Sequence, residues 1–239
     1  MDKAWYTCGR ENGQMRRERT DYERLSDNAL LLALWSMAQE RNGGEAVGDR
    51  LKMMKLAFLA AYPLYWDRIK ALNLRFYRYT WGPYTEQVSD SWDDLCARHL
   101  LGEEEMFYVT EEGERLARSF RDEVLGLSEN QDIRRWLEDV VEAHAALDTQ
   151  SLLSKVYDMY CYTLESPGRK HRIKSISQRQ QFTAILEAED ADESLVIPPG
   201  WQITLELALD PDALRNLQRG IDDAGADRLY GWDALGADV

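Results

Sequence analysis

The sequence predicts a mainly α-helical protein of the α+β class with one small antiparallel sheet. Apolar residues recur at steps of three and four in six segments, the spacing that one face of a helix requires. Residues 76–81 instead alternate between two faces, as a strand does. A short apolar run at 106–109 supplies a second strand to complete the sheet.

The composition predicts a globular, cytoplasmic protein. Its 239 residues are 44% hydrophobic and 10% aromatic, which is enough for a substantial core. The longest apolar stretch, 29–35, is far shorter than the roughly 18 residues that a membrane span needs, and no secretory signal is readable. Cys8, Cys96 and Cys161 are odd in number and widely spaced, which indicates unpaired thiols in a reducing compartment. The net charge of −14 repels duplex nucleic acid unless one patch is locally basic.

The N-terminal part is expected to hold a loose arm and two helices. Residues 1–24 form the arm. A helix over 27–40 is apolar nearly all round, which predicts burial on several sides, and Asn-Gly-Gly at 42–44 ends it. The next helix starts near Asp49 and carries Leu51, Met54 and Phe58 on one stripe, and Pro63 is expected to bend or end it.

The central segment has the order of a winged helix-turn-helix. Gly82 and Pro83 break the strand at 76–81, a helix follows to about residue 102, and Thr110 caps another helix after the run at 106–109. A small α/β packing unit without a role in DNA binding has the same order. A recognition helix needs exposed Arg or Lys. Residues 84–99 offer Arg98 against four acidic residues: Glu86, Asp90, Asp93 and Asp94.

Pro167 and Gly168 indicate a domain boundary after two more helices, near 133–147 and 153–160. We therefore expect a helical domain over 25–165 and an extension over 166–239. Residues 166–181 hold five Lys or Arg and no acidic residue, whereas 182–239 hold thirteen acidic and three basic residues. Residues 178–187 are expected to be helical. The alternation at 201–209 predicts a strand, and Asp210 followed by Pro211 predicts the start of a helix with Leu214, Leu217 and Ile221 on its apolar face. The strand and this helix face are expected to dock on the main domain, on a second copy of the chain or on the partner.

Common catalytic motifs are absent from the sequence, so we expect a binding protein without metal or cofactor rather than an enzyme. Residues 43–50 lack the Gly-Lys-Ser/Thr of a phosphate-binding loop, and no nucleophile elbow is present. His99, His144 and His171 are not at metal-ligand spacing from one another. An enzyme with an unrecognised carboxylate site is a third alternative.

Four segments resemble the Panacea, or SocA-like, antitoxin domain family. Residues 49–60, Asp-Arg-Leu-Lys-Met-Met-Lys-Leu-Ala-Phe-Leu-Ala, are similar to its leucine-lysine, lysine-leucine, aromatic-leucine-alanine helix. Residues 76–84, Phe-Tyr-Arg-Tyr-Thr-Trp-Gly-Pro-Tyr, are similar to its aromatic strand and Gly-Pro turn. Thr-Glu-Glu-Gly at 110–113 fits its next helix start, and 156–160 is similar to its closing helix. The resemblance spans about residues 25–165.

Two features depart from the family pattern: residues 59–62 lack the acidic residue often found after the Leu-Ala, and the chain continues beyond the domain. The resemblance implies an antitoxin that neutralises a toxic protein by direct contact, the toxin usually being encoded next to it. A role as a proteolytic adaptor is also known in the family.

The candidate partner-binding residues combine aromatic rings with cations. They are Lys52, Lys55, Trp81, Gly82, Pro83, Tyr84 and, in the extension, Trp201. Aromatic side chains anchor protein interfaces because they offer a large contact area at a low entropic cost. The alternative is that Trp81 and Tyr84 belong to the core and that the lysines are solvated.

The leading hypothesis is therefore an antitoxin that binds a protein toxin. The runner-up is a winged-helix transcriptional regulator that binds DNA. A homo-oligomer is compatible with both.

Overall fold

This computed structural model describes residues 17–225, without the side chains of 211–214 and 223–225. Eight α-helices make up most of this part of the chain. This confirms the mainly helical fold class. The helices are α1 (Asp21–Arg41), α2 (Arg50–Trp66), α3 (Glu86–Ala97), α4 (Glu111–Glu123), α5 (Gln131–His144), α6 (Thr149–Asp158), α7 (Pro199–Leu209) and α8 (Pro211–Gly225).

Short strands form four two-stranded sheets within residues 17–225. They are β1 (Ile69–Lys70), β2 (Tyr77–Tyr79), β3 (Gly82–Tyr84), β4 (Leu101–Glu103), β5 (Phe107–Val109), β6 (Tyr160–Thr163), β7 (Ser166–Arg172) and β8 (Glu193–Ser194). Three pairs are antiparallel hairpins, β2–β3, β4–β5 and β6–β7, and β1 pairs with β8 in parallel. The single sheet expected to join 76–81 to 106–109 is therefore two separate hairpins. In each of these two hairpins the strands pair across a short turn, because closing a short loop costs less entropy than joining distant segments.

Helix α1 is the centre of the core. It packs against α3, α4, α5 and α7, and its residues from Leu25 to Gln39 are all buried, as the apolar sequence predicts. The helix begins before the expected residue 27, because the Thr20 side chain accepts a hydrogen bond from the Glu23 backbone and the Glu23 side chain accepts one from the Thr20 backbone. Residues 21–24 are therefore helical rather than part of a loose arm. Residues 1–16 lie outside the described part.

Helix α2 starts after Asp49, whose side chain accepts a hydrogen bond from the Lys52 backbone. Pro63 lies inside the helix and does not end it. Because Pro63 falls in the last turn, its missing N–H removes a single hydrogen bond there. Leu64, which is 1% exposed, keeps this final turn packed against the core.

The order of elements predicted for the central segment is confirmed. Helix α3 leads into the β4–β5 hairpin, and the Thr110 side chain then caps α4 by accepting a hydrogen bond from the Gly113 backbone. Gly82 and Pro83, which were expected to break the preceding strand, instead form the start of β3. Gly82 has φ +87°, which glycine adopts at little cost and which lets the chain reverse after residues 80–81.

Two expectations for the secondary structure of the extension are wrong. Residues 178–187 form a turn and irregular chain rather than a helix, because their backbone groups bond to a neighbouring segment: the Phe182 N–H donates to the Phe76 carbonyl oxygen at 2.7 Å, and Gln181 pairs with Tyr77. Residues 201–209 form α7 rather than a strand. Trp201, Leu205 and Leu209, four residues apart, face the core, whereas Ile203 is 60% exposed.

Residues 166–209 share the core of the preceding residues. The expected boundary at 165/166 falls at the turn of the β6–β7 hairpin, where Thr163 pairs with Ser166. Phe182, Ile197 and Leu205 are buried in the same apolar cluster as α1 and α2. Helix α8 starts at Pro211 as predicted, and its Leu217 and Ile221 are exposed, so they do not dock on the main domain; the side chain of Leu214 lies outside the described part.

Candidate functional site

The tip of the β2–β3 hairpin, residues 79–82, presents aromatic rings to solvent. Trp81 is 63% exposed and Tyr79 is 48% exposed. Tyr84 lies half-buried beneath the tip, and its ring centroid is 5.4 Å from that of Tyr79. Because burying large aromatic side chains is favourable, this degree of exposure marks the tip as a candidate contact surface.

Hydrogen bonds from two helices fix the tip from below. The Tyr157 hydroxyl of α6 donates to the Thr80 carbonyl oxygen at 2.9 Å. The Lys55 ammonium of α2 donates to the Pro83 carbonyl oxygen at 2.6 Å. A hairpin with carbonyl groups held at both sides of its turn presents Trp81 in a fixed position, which lowers the entropic cost of binding.

Arg78 of β2 anchors the other side of the hairpin. Its guanidinium donates to the Ile173 carbonyl oxygen at 3.0 Å and to the Tyr79 carbonyl oxygen. The guanidinium carbon also lies 5.3 Å from the centroid of the Tyr157 ring. Arg78 is 9% exposed, so its charge supports the hairpin rather than the surface.

The structure brings Lys55 together with Trp81, Gly82, Pro83 and Tyr84, but beneath the surface. Lys55 is 2% exposed. Desolvation by burial and, as a smaller cause, the nearby positive charge of Arg78 together lower the pKa of its ammonium to about 7. Lys55 therefore acts as a support for the hairpin rather than as a surface cation.

Lys52 is also buried, at 7% exposed, and its side chain packs over Gly48. Desolvation lowers its pKa, and the charges of Asp49 and Asp148 oppose this effect. Because both lysines are buried, changing the pair to Glu is expected to unfold the protein rather than to remove a contact with a partner.

Trp201 does not join the hairpin. Its ring packs edge-on against Phe120 with centroids 5.7 Å apart, and its indole N–H donates to a Glu123 carboxylate oxygen at 3.1 Å. Both partners are on α4, so Trp201 fastens α7 to the core.

Sequence reasoning missed Tyr79 and the β6–β7 hairpin as parts of the surface. Tyr79 falls on the same side of the alternating segment as Trp81, which was the usable signal. The basic character of 166–181 was visible, but not its position. Backbone hydrogen bonds through 179–181 tie this segment to β2: the Arg179 N–H donates to the Arg78 carbonyl oxygen at 2.7 Å, and the Arg78 N–H donates to the Gln180 carbonyl oxygen at 2.8 Å.

The winged-helix-like segment is acidic where a DNA-binding protein is basic. Exposed positions on α3 include Glu86, Asp90 and Asp93. The β4–β5 hairpin, which corresponds to a wing, carries Glu103 at the end of β4 and Glu104 and Glu105 in its turn. Carboxylates on both elements repel a phosphate backbone.

In comparisons with known proteins, no family model, no curated protein and no solved structure matches the chain. Within residues 17–225, no helix is long and apolar enough to cross a membrane. The same residues contain no group of three His, Cys, Asp or Glu side chains positioned to hold a metal ion.

Proposed function

We propose that this chain is an antitoxin-type binding protein that neutralises a toxic partner protein by direct contact through the tip of the β2–β3 hairpin. The observation that carries the proposal is Trp81, 63% exposed on a hairpin that Lys55 and Tyr157 hold in place. A rigid, exposed aromatic side chain is the usual anchor of a protein interface. The resemblance of residues 25–165 to the Panacea family supplies the class of partner, a toxin encoded nearby.

The proposal has the protein act by binding rather than by catalysis, in the cytoplasm. The thiols of Cys96 and Cys161 are unpaired, which is compatible with a reducing compartment. Burial raises the pKa of the Cys161 thiol to about 12, so it is a poor nucleophile.

The alternative function, a winged-helix regulator, draws support from the order α3, β4, β5. It requires a duplex to approach Asp90, Asp93 and the three glutamates at 103–105. The two functions separate in a binding experiment with duplex DNA at physiological salt, where the antitoxin proposal expects no sequence-specific complex.

The test of the proposal is the Trp81→Ala variant, co-expressed with the product of the adjacent reading frame. Truncation of an interface anchor costs about 2 kcal/mol or more, so the dissociation constant should rise by about 30-fold. Growth rescue should be lost, while the circular dichroism spectrum should stay unchanged because Trp81 is largely outside the core. Calorimetric titration of the purified pair measures the affinity.

Tyr22→Ala is the matched control, because Tyr22 is a 45% exposed aromatic residue on α1. It should neutralise like the unmodified chain. A folded Trp81→Ala variant that still neutralises at full strength would show that the tip is not the contact.

A further inference from the structure

Among residues 17–225, strand β7 is the longest strand, and one of its edges pairs with no other strand of this part of the chain. It has seven residues, and β6 is its pairing partner in a two-stranded sheet. The strand is largely exposed along its length. The unpaired edge of a strand presents a row of backbone N–H and C=O groups that can receive another chain.

The outer face of the β6–β7 hairpin alternates tyrosines with cations. Tyr160 pairs with Arg172 across the hairpin, and the guanidinium carbon lies 5.3 Å from the ring centroid. Further along, the Lys170 ammonium lies 4.9 Å from the centroid of the Tyr162 ring. Tyr160 is 56% exposed. Each ring holds a cation in place beside the unpaired edge.

Few carboxylates balance this face, and Glu165, exposed in the hairpin turn, accepts hydrogen bonds from the Gln181 backbone. Asp158 is the carboxylate in ion-pair contact with it in the described structure, at 2.7 Å from Lys174 and 3.9 Å from Arg172. Arg169, Lys170 and Arg179 have no ion pair within residues 17–225. The segment 166–181 contains no Asp or Glu, in a chain whose net charge is −14.

Positive charges and a proline on an edge strand discourage pairing with most other strands. Pro167, Arg169 and Lys170 give β7 this character. The same charges attract a strand that carries carboxylates. The edge therefore selects acidic strands and does not exclude every strand.

We propose that β7 is a docking edge that receives an extended acidic segment of the partner protein as a third strand of the β6–β7 sheet. This inference rests on the proposed function, because it takes the partner to be a protein. Residues 179–181 join the β6–β7 sheet to the β2–β3 hairpin. The Gln181 carbonyl oxygen accepts a hydrogen bond from the Leu164 backbone in the β6–β7 turn, and the Arg78 backbone of β2 bonds to Arg179 and Gln180. One partner can therefore contact Trp81 and β7 together. A single-stranded nucleic acid would use the rings and cations but not the backbone edge.

The experiment measures fluorescence anisotropy of labelled probes with the full chain. The main probe is a fluorescein-labelled twelve-residue peptide of alternating Glu and Thr, whose glutamates share one face of an extended strand. The second probe replaces each Thr by Pro, which keeps the charge and opposes strand pairing. The third is labelled oligo(dT) of the same length.

The Glu-Thr peptide should bind, and the Glu-Pro peptide should bind at least about tenfold more weakly. The variants Arg169→Glu/Lys170→Glu and Lys170→Gln/Arg172→Gln should each weaken Glu-Thr binding by about tenfold. The matched control is Arg134→Glu/Arg135→Glu, the same charge change on α5, which should leave binding within about twofold.

Failure of the Glu-Thr peptide to bind would overturn the docking edge. Equal binding of the Glu-Thr and Glu-Pro peptides would show that charge attraction alone, without strand pairing, accounts for the binding. Tighter binding of oligo(dT) would show that the face is a nucleic-acid site instead. These results are obtained without the toxin, so they are independent of the neutralisation experiment with Trp81→Ala.

Discussion

Lys55 shows how a single residue can support a surface from within. Its ammonium lies in the interior with the Pro83 carbonyl oxygen as hydrogen-bond acceptor and with Arg78, another cation, as a neighbour. The charged form is disfavoured in the folded protein, which is why the pKa falls to about 7 from an ordinary value of 10.5. The unfolded chain therefore binds more protons than the folded chain between these two pH values.

The first prediction is that stability rises with pH in this window because of Lys55. Since the unfolded state holds the extra proton, the free energy of unfolding should increase from about pH 7 to about pH 10, by at most about 1.4 kcal/mol per pH unit. In Lys55→Met this contribution disappears and the slope becomes flatter. Urea denaturation at several pH values measures it.

Lys155→Met is the control, because Lys155 is exposed on α6. It should keep the slope of the unmodified protein. Identical slopes in Lys55→Met and the unmodified protein would contradict the lowered pKa.

Burial of Lys55 could have been inferred in part from the sequence. Residues 56–66, which follow it in α2, contain no charged side chain, so little of this helix can face water. The acceptor could not be inferred, because Pro83 is brought to Lys55 by the hairpin turn and by packing of α2 on β3. Periodicity predicts which side of a helix is apolar, but not which element packs against that side.

At the scale of single elements, the sequence of helix α7 fits both the two-residue period of a strand and the four-residue spacing of one helix face. Residues 201–209 alternate apolar side chains and also place Trp201, Leu205 and Leu209 at steps of four. Pro199 near the N-terminus and the residue types Leu, Ala and Glu favour the helix. Arg98 fixes its end by donating to the Leu207 and Ala208 carbonyl oxygens at 2.6 Å and 2.9 Å.

The second prediction distinguishes the helix from a strand by two substitutions. Leu205→Ala should lower the free energy of unfolding by about 2–5 kcal/mol, because Leu205 is 2% exposed and leaves a cavity. Ile203→Ala should change it by less than about 0.5 kcal/mol, since Ile203 faces solvent. Chemical denaturation gives both values, and similar losses at the two positions would indicate a strand with one buried row.

At the scale of the whole molecule, the chain after residue 165 completes the core instead of extending from it. Asn130 bonds to both backbone groups of Val196, at 2.7 Å and 2.8 Å, and Ile197 and Leu209 are buried. Pro167 and Gly168 suggested a boundary, together with the basic stretch that begins there. Charge alone does not report packing: Arg169, Lys170 and Arg172 lie exposed on β7, and Lys174 and Arg179 lie exposed in the chain that follows it.

The third prediction concerns truncation. A chain ending at Glu193 loses Ile197, Leu205 and Leu209 from the core, a cost of about 2–5 kcal/mol for each leucine against a total stability of about 5–15 kcal/mol. It should aggregate or unfold. A chain ending at Asp210 lacks α8, whose Leu217 and Ile221 are exposed, and should keep its thermal midpoint within a few degrees. Calorimetry compares them, and a stable, folded chain ending at Glu193 would contradict the single core.

The first six helices and two of their N-caps were predictable from sequence because caps and apolar spacing are local signals. Thr110 and Asp49 act as N-caps where the sequence places them. Strand partners were not predictable, because pairing depends on which segments meet in space. For the same reason, Trp81 and Tyr84 could be grouped with the Gly-Pro turn, whereas Tyr160 and Arg172 could be identified only from the folded chain.

The exposure of Trp81 has an optical consequence. Trp35 and Trp92 are buried, and the remaining described tryptophans are at least partly covered, so Trp81 is the indole most in contact with water in this part of the chain. Indoles in contact with water emit at longer wavelength than buried indoles, so the long-wavelength part of the emission comes mainly from such residues. A partner that covers the tip should shift this emission to shorter wavelength and protect it from quenching by iodide. The hairpin thus carries its own fluorescent reporter of occupancy.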